Sequence, residues 1–319
     1  MPLSLQEYAE RLDQQDVLWP KPPAEKDAKA TAYVKPLPGI RAVLWCVYGS
    51  LVRIADGKLL HLHSQQLRMQ IALEKTIQEF NMWNSMYRTP EAPWEYMLRQ
   101  YSKVCEDLGM TGNIRKGDVP EINSAVVWRK LVDQLLEKEY TYDEATYGDL
   151  DEFCTKIAYY FHASLQGVEA APQALAAVKL VKTAGCVQGL LADAQPFTLV
   201  QMLRALKTQG EIPLWGDLFD PACITFSYQV GVRKPSPTLY QTAIEACERQ
   251  GIEPSEILYV GSRLRGDLAV AKGFGMRTTL YAADMLSLQA KQADMKDPEI
   301  RPDRLLTNLA SIRDILGAE

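Results

Sequence analysis

Five side chains able to ionise follow the ends of short apolar segments in the sequence: Cys46, Tyr48, Asp193, Lys234 and Asp267. A thiol can act as a nucleophile, carboxylates can move protons or hold cations, and a lysine can stabilise an anion. Two uncharged residues occupy equivalent places after apolar segments, namely Ala192 and Ser262. If these segments are neighbouring strands, all seven residues meet at one edge of a sheet and form a candidate site.

The segments between these residues alternate between strand and helix patterns. Apolar runs predict strands at 40–47, 187–191, 223–227, 257–261 and 277–281, and amphipathic spacing predicts helices at 172–184, 196–208, 236–250 and 266–273. Short buried strands separated by helices are typical of βαβ units. The sequence therefore predicts an α/β fold, a doubly wound parallel sheet whose ligands bind at the carboxyl ends of its strands.

Two further regions interrupt or precede this pattern. Residues 64–167 mix polar and apolar residues at helical spacing and predict an inserted all-helical cap. Residues 1–39 predict a short helix, with Ser4 and Glu7 as a capping box, and a Pro-rich extension. We therefore expect an extension at 1–39, a core made of 40–63 and 168–319, and a cap at 64–167. Within the core, Asp56-Gly57 predicts a β-hairpin over 51–62.

Composition excludes several classes of protein. The 319 residues carry a net charge of −5 and show no basic cluster, which argues against a nucleic-acid partner. No apolar run is long enough to cross a membrane, and acidic residues near the start do not resemble a targeting peptide. We expect a cytoplasmic protein with reduced cysteines, because the six cysteines have no CxxC spacing. His61 and His63 are expected at the solvent edge of the hairpin, and no histidine lies near the candidate site residues.

Four segments resemble the motifs of the haloacid dehalogenase-like (HAD-like) hydrolase superfamily over residues 40–318. In chain order they are VLWCVYGSL, LLADAQPF, VGVRKPSP and YVGSRLRGDLAVAKGFGM. The first resembles the family's Asp-x-Asp-Gly-Thr motif, the second its Ser/Thr motif, the third its lysine motif and the fourth its Gly-Asp motif. The resemblance implies the family's α/β core with a cap, and it assigns the lysine and acidic positions to Lys234 and Asp267.

The same comparison of motifs shows substitutions at positions that carry the family's chemistry. Cys46 stands where the family has its nucleophilic Asp, and Ala192 stands where it has a hydroxyl residue. Tyr48 and Ser262 match the dehalogenase-type branch, which works without magnesium. Ser50 replaces the Thr of the first motif, next to the turn residue Gly49. The resemblance is thus to a dehalogenase-type protein with a degenerate active site, and its ligand-binding positions are Tyr48, Gly49, Ser50, Ala192, Asp193 and Ser262.

Two interpretations of Cys46 follow. In one, Lys234 stabilises a thiolate that acts as a nucleophile. In the other, Cys46 is a packed residue at the end of a buried strand, and Lys234 and Asp267 form a structural ion pair. Asp193 is expected to cap the helix after its strand rather than to face a ligand. We expect no magnesium and no metal ligand, because Asp267 would be the one carboxylate left in the family's metal positions.

The predicted function is binding of a small anionic molecule, or of a protein partner, in the cleft between core and cap, with catalysis impaired or lost. One alternative is an active hydrolase without magnesium, resembling a dehalogenase or a phosphatase or using the Cys46 thiol. A second alternative is a scaffolding protein that acts through its cap. The candidate partners are a small anionic molecule, another protein or a second copy of the chain in a homodimer.

Overall fold

A computed structural model describes residues 1–15, 17–22, 24–86, 91–110, 115–212 and 214–317. Its centre is a six-stranded sheet with every neighbouring pair parallel, which confirms the predicted fold class. The strand order is β10-β9-β8-β1-β5-β6. These strands are β1 (Ala42–Trp45), β5 (Val187–Ala192), β6 (Ile224–Phe226), β8 (Ile257–Gly261), β9 (Arg277–Tyr281) and β10 (Arg304–Leu306).

Strand β1 lies in the middle of the sheet, and all four of its residues are fully buried. Burial on both faces explains why the strand is apolar throughout rather than alternating. The helices that cover the sheet are α7 (Ala174–Thr183), α8 (Thr198–Lys207), α9 (Trp215–Leu218), α10 (Ser227–Val230), α11 (Pro237–Glu248), α12 (Ala269–Gly273) and α13 (Ile312–Leu316). A π-helical turn over Leu264–Leu268 leads into α12.

The helical cap is built around one buried helix. It contains α2 (Gln66–Glu79), α3 (Pro93–Met110), α4 (Ser124–Leu136), α5 (Glu144–Tyr147) and α6 (Leu150–Leu165). Helix α6 begins after Asp149, whose carboxylate accepts the N–H groups of Asp151 and Glu152. Eleven of its residues are buried, because α2 and α4 pack against it from different sides.

A short pair of antiparallel strands joins the cap to the core. Strand β3 (Val119–Pro120) of the cap pairs with β7 (Val232–Arg233) of the core. Beside this pair, the side-chain amide of Gln195 accepts the N–H of Ser124 at 2.7 Å and donates to the carbonyl of Ile122 at 3.0 Å. We call this region the cap–core joint. It places cap residues 119–124 directly over the carboxyl ends of the core strands.

The N-terminal extension packs against both the cap and the core. Helix α1 (Leu5–Gln14) begins with the predicted capping box of Ser4 and Glu7, and it buries Tyr8 and Leu12 in the hydrophobic cluster of the cap. Further along, Tyr33 exchanges two backbone hydrogen bonds with Leu305 of β10, at 2.8 and 3.0 Å. The extension therefore spans the two parts of the molecule.

The predicted hairpin at Asp56-Gly57 is wrong. Strand β2 (Val52–Arg53) pairs antiparallel with β4 (Glu169–Ala170), so its partner lies far along the chain. Asp56 and Gly57 do have positive φ angles, as a tight turn requires, but they lie in a 3₁₀ turn rather than between paired strands. The boundaries predicted between extension, core and cap stay predictions. None of the helices in the described segments is long and apolar enough to cross a membrane.

Candidate active site

The thiol of Cys46 lies just beyond the end of β1, with lysine and backbone around it. Its Sγ is 3.4 Å from the Nζ of Lys234, and it donates to the carbonyl of Tyr48 at 3.3 Å. Burial raises the pKa of the Cys46 thiol, and the nearby charge of Lys234 offsets this only in part. The thiol is therefore held in its protonated form near neutral pH, which disfavours an activated thiolate.

Lys234 and Asp267 form the ion pair that the sequence predicted. The Nζ of Lys234 is 3.0 Å from the Oδ2 of Asp267, and both side chains are fully buried. The hydroxyls of Tyr240 and Tyr259 donate to the two oxygens of Asp267, at 2.9 and 2.8 Å. Burial alone would lower the pKa of Lys234, but the negative charge of Asp267 raises it. Lys234 is thus a permanent cation whose charge is already balanced.

Asp193 does not cap the helix that follows it. Its Oδ1 accepts the backbone N–H of Lys234 at 2.8 Å, and its Oδ2 pairs with Arg263 at 2.7 Å. Helix α8 begins after Phe197 without a side-chain cap, so the predicted capping role is wrong. Burial would raise the pKa of Asp193, but Arg263 and Lys234 lower it. The carboxylate instead holds together two loops at the carboxyl edge of the sheet.

The hydroxyl of the first motif's tyrosine is hydrogen-bonded to a helix of the core. The hydroxyl of Tyr48 donates to the side-chain oxygen of Gln201 at 2.6 Å and lies 3.1 Å from the hydroxyl of Thr198. Both partners belong to α8. The Tyr48 hydroxyl thus makes its hydrogen bonds within the core, and burial raises the pKa of this tyrosine.

The remaining predicted residues are tightly packed. The Ser50 hydroxyl donates to the carbonyl of Cys46, and Ala192 is fully buried at the end of β5. Gly49 has a φ of +88°, and a Cβ there would lie 2.2 Å from the hydroxyl of Ser262. That Ser262 hydroxyl is buried without a hydrogen-bond partner among the described residues. Close packing here explains why the turn uses glycine.

A cavity of about 140 Å³ lies between core and cap, beside Cys46. Four of the nine predicted site residues line it: Cys46, Tyr48, Asp193 and Lys234. The other five do not line the cavity: Gly49, Ser50, Ala192, Ser262 and Asp267. The rest of the lining is Gly57, Lys58, Leu59, His61, Glu121, Ala194, Gln195, Arg233 and Arg263.

Sequence reasoning missed three ionisable residues of this cavity: Lys58, His61 and Glu121. His61 was expected at a solvent edge, but its side chain is 17% exposed and lines the same cavity as Cys46. The expectation that no histidine lies near the site is therefore wrong. None of these three residues belongs to one of the four motifs. Glu121 reaches the cavity only through the cap–core joint.

The donor set beside Cys46 does not fit a magnesium ion. Magnesium requires oxygen ligands with free lone pairs in an octahedral arrangement. Asp267 is fully buried beside Lys234 and does not line the cavity, and Asp193 is already neutralised by Arg263, so neither carboxylate is free to balance a divalent cation. A protonated thiol is a poor ligand for this hard cation.

Comparisons with known proteins agree with the fold. The HAD-hydrolase-like family model matches residues 231–312. A glyceraldehyde 3-phosphate phosphatase from Methanopyrus kandleri is 32% identical over 92 residues, which cover 29% of this chain and 38% of that protein. A phospholysine phosphohistidine inorganic pyrophosphate phosphatase from Xenopus laevis is 34% identical over 87 residues, which cover 27% of this chain and 30% of that protein. The chain thus spans less than half the length of these relatives.

A solved structure extends the similarity to most of the chain. A 2-haloacid dehalogenase from Pseudomonas syringae superposes with a TM-score of 0.52 at 17% sequence identity. The superposition covers 87% of this chain and 98% of that structure. At this identity the similarity concerns the fold, and it includes a cap in addition to the α/β core.

Proposed function

We propose that this protein, which has the HAD-like hydrolase fold, binds a small anionic molecule in the cavity between core and cap and does not hydrolyse it. The observation that carries the proposal is the charge left over on the cavity wall. Lys234 is balanced by Asp267, and Arg263 by Asp193. Lys58 and Arg233 also line the cavity.

Lys58 and Arg233 have no ion-pair partner among the described residues. Both side chains are exposed, so their charges lie at the mouth of the cavity, where unpaired cations attract an anion. The relatives named as phosphatases support a phosphate-like group as that anion. The cavity volume of about 140 Å³ corresponds to roughly five water molecules at about 30 Å³ each, so the ligand is small.

The proposed loss of hydrolysis rests on Cys46. A protonated, fully buried thiol is a weak nucleophile, and the thiol–carbonyl hydrogen bond to Tyr48 keeps it so. A second candidate function is thiol catalysis by Cys46, because Lys234 lies 3.4 Å from its sulfur and His61 shares the cavity. The described contacts include no hydrogen bond between His61 and Cys46, so we rank this function second.

Titration calorimetry with inorganic phosphate tests the binding site. We expect Arg233→Ala and Lys58→Ala each to weaken phosphate binding by about 3–10-fold, since each removes one unpaired cation from the cavity. Arg313→Ala is the matched control, because Arg313 is exposed and pairs with Asp314. Equal phosphate affinity in Arg233→Ala, Lys58→Ala and the control would show that the anion binds elsewhere.

Hydrolysis assays with p-nitrophenyl phosphate and 2-chloropropionate test the loss of catalysis. We expect no turnover above the rate of a Cys46→Ala variant. Turnover that Cys46→Ala abolishes would instead establish thiol catalysis. The rate of Cys46 alkylation by iodoacetamide across pH, with Cys105 as the buried reference, gives an independent measure: an apparent pKa below about 7.5 would contradict a packed thiol.

A further inference from the structure

We infer that the ligand of this cavity is a small zwitterion, and that the cap residue Glu121 binds its ammonium group. This inference rests on the proposed function, which supplies the anionic half of the ligand. It adds a second recognition element on the opposite side of the cleft, contributed by the cap rather than by the core.

Glu121 is a nearly buried carboxylate without a Lys or Arg partner among the described residues. Its side chain is 5% exposed. Its Oε1 accepts the N–H of Ile122 at 2.9 Å and lies 3.5 Å from the amide nitrogen of Gln195. In the described part of the chain, its Oε2 makes no hydrogen bond, and the nearest basic group is His61, whose Nε2 is 3.9 Å from Oε1. That distance is too long for a hydrogen bond.

Two other buried carboxylates of this protein have a Lys or Arg partner. Asp267 is paired with Lys234 at 3.0 Å, and Asp284 is paired with Arg53 at 3.1 Å. Each of these acidic side chains is at most 2% exposed. A buried charge is costly unless a counter-charge accompanies it. Glu121 lines the cavity, so a cationic group of a ligand can supply the missing partner there.

The cap–core joint places the two halves of the site on the same face of one strand pair. Val119 is directly opposite Arg233 in the antiparallel pair, and the N–H of Glu121 donates to the carbonyl of Gly231 at 3.0 Å. Residues 119 and 121 point to the same face of the strand because side chains alternate. Glu121 therefore lies on the same face as Arg233, about 6–7 Å further along the strand direction.

A cavity of about 140 Å³ with this lining suits a short molecule with an anionic group at one end and an ammonium group at the other. Glu121 would accept hydrogen bonds from the ammonium group, while Arg233 and Lys58 would bind the anionic group. An aminoalkyl phosphonate or a small amino acid has this chemistry. A simple anion of the same size would leave Glu121 unpaired, and its negative charge would weaken the binding.

Titration calorimetry with two matched probes tests the inference. The first probe is 2-aminoethylphosphonate, and the second is ethylphosphonate, which lacks only the amine. We expect the wild-type protein to bind the amine-bearing probe about tenfold more tightly or better, as expected for a charge-assisted hydrogen bond. Glu121→Gln should abolish this preference and leave the affinity for ethylphosphonate equal or higher.

Glu137→Gln is the control variant, because Glu137 is an exposed carboxylate on the same cap and should leave the preference intact. Thermal unfolding of Glu121→Gln verifies that the variant is folded. Equal binding of the two probes by wild type would overturn the zwitterion and leave anion binding intact. If wild type binds neither probe, both the inference and the proposed function are wrong.

Discussion

The buried carboxylates on the two walls of the cleft differ in whether they have a Lys or Arg partner. On the core wall, Lys234 and Asp267 neutralise each other, and two tyrosine hydroxyls complete the hydrogen bonds of the carboxylate. On the cap wall, Glu121 is almost as deeply placed but has no Lys or Arg partner among the described residues. The Lys234–Asp267 pair is complete without another molecule, whereas we propose that a ligand meets the charges of Glu121 on the cap and of Lys58 and Arg233 at the cavity mouth.

This difference separates structural from recognition roles within one cleft. A closed ion-pair network resists change, because breaking it leaves a buried charge unpaired. A charged side chain without a partner can instead bind a group of the ligand. We propose that the residues resembling a hydrolase's catalytic set act mainly on stability here, and that Glu121, Lys58 and Arg233 select the ligand.

The largest expected effect comes from breaking the core wall. Asp267→Asn leaves the ammonium group of Lys234 fully buried without a carboxylate, which should reduce the free energy of unfolding by about 3–5 kcal/mol. Urea denaturation measures this loss. The double variant Lys234→Met/Asp267→Leu is the control and should recover most of the stability, because it removes both charges. A loss under about 1 kcal/mol in Asp267→Asn would contradict the structural role.

A smaller effect is expected where the extension crosses between cap and core. A Cβ at Gly167 would lie 2.3 Å from the carbonyl oxygen of Pro20 and 2.4 Å from the nitrogen of Pro22. Gly167→Ala must displace this backbone, at a cost of about 1–3 kcal/mol in the free energy of unfolding. Gly216→Ala, which meets nothing within 4 Å, is the matched control. Equal thermal stability of the two variants would show that the extension is not packed firmly here.

The cap should also respond to acid through His162. Burial, together with His61, lowers the pKa of His162 well below its usual range, and its Nε2 lies 2.7 Å from the hydroxyl of Ser124. The unfolded chain binds a proton near pH 6.5 and the folded cap does not, so this stabilisation is present above pH 6.5 and is lost as the pH falls. The slope is at most about 1.4 kcal/mol per pH unit.

Denaturation of wild type and His162→Gln at pH 7, 6 and 5 tests this expectation. The difference in unfolding free energy between the two proteins should shrink toward pH 5, since only wild type has the histidine at position 162. A constant difference over this range would mean that the histidine does not resist protonation in the folded cap.

The smallest effect is expected at Tyr48. Tyr48→Phe removes the hydrogen bonds to Gln201 and Thr198, which should cost about 1 kcal/mol of unfolding free energy. Phosphate affinity should stay within about twofold, because the lost hydroxyl faces α8 and a single neutral hydrogen bond contributes little. Tyr33→Phe is the control at an exposed tyrosine. A tenfold loss of phosphate affinity would place the phenol in the binding site instead.

The core could be predicted from sequence because its signals are local. A strand buried on both faces is a short apolar run, and β1, β5 and β8 were all recognised in this way. The pairing of Lys234 with Asp267 followed from the rule that strand ends meet at one edge of a parallel sheet. The turn at Asp56-Gly57 was recognised too, but its strand found a distant partner in β4.

By itself, the sequence determined the parallel sheet, the helices of the cap and the position of Cys46 just after a buried strand. Only the tertiary structure decided the state of that thiol, because burial and the hydrogen bond to Tyr48 depend on packing. It alone also brought His61 to the cavity, and it brought Glu121 there through a two-residue strand pair that has no signature of its own. Local patterns define elements, whereas a charge acquires its role from the neighbours that folding places around it.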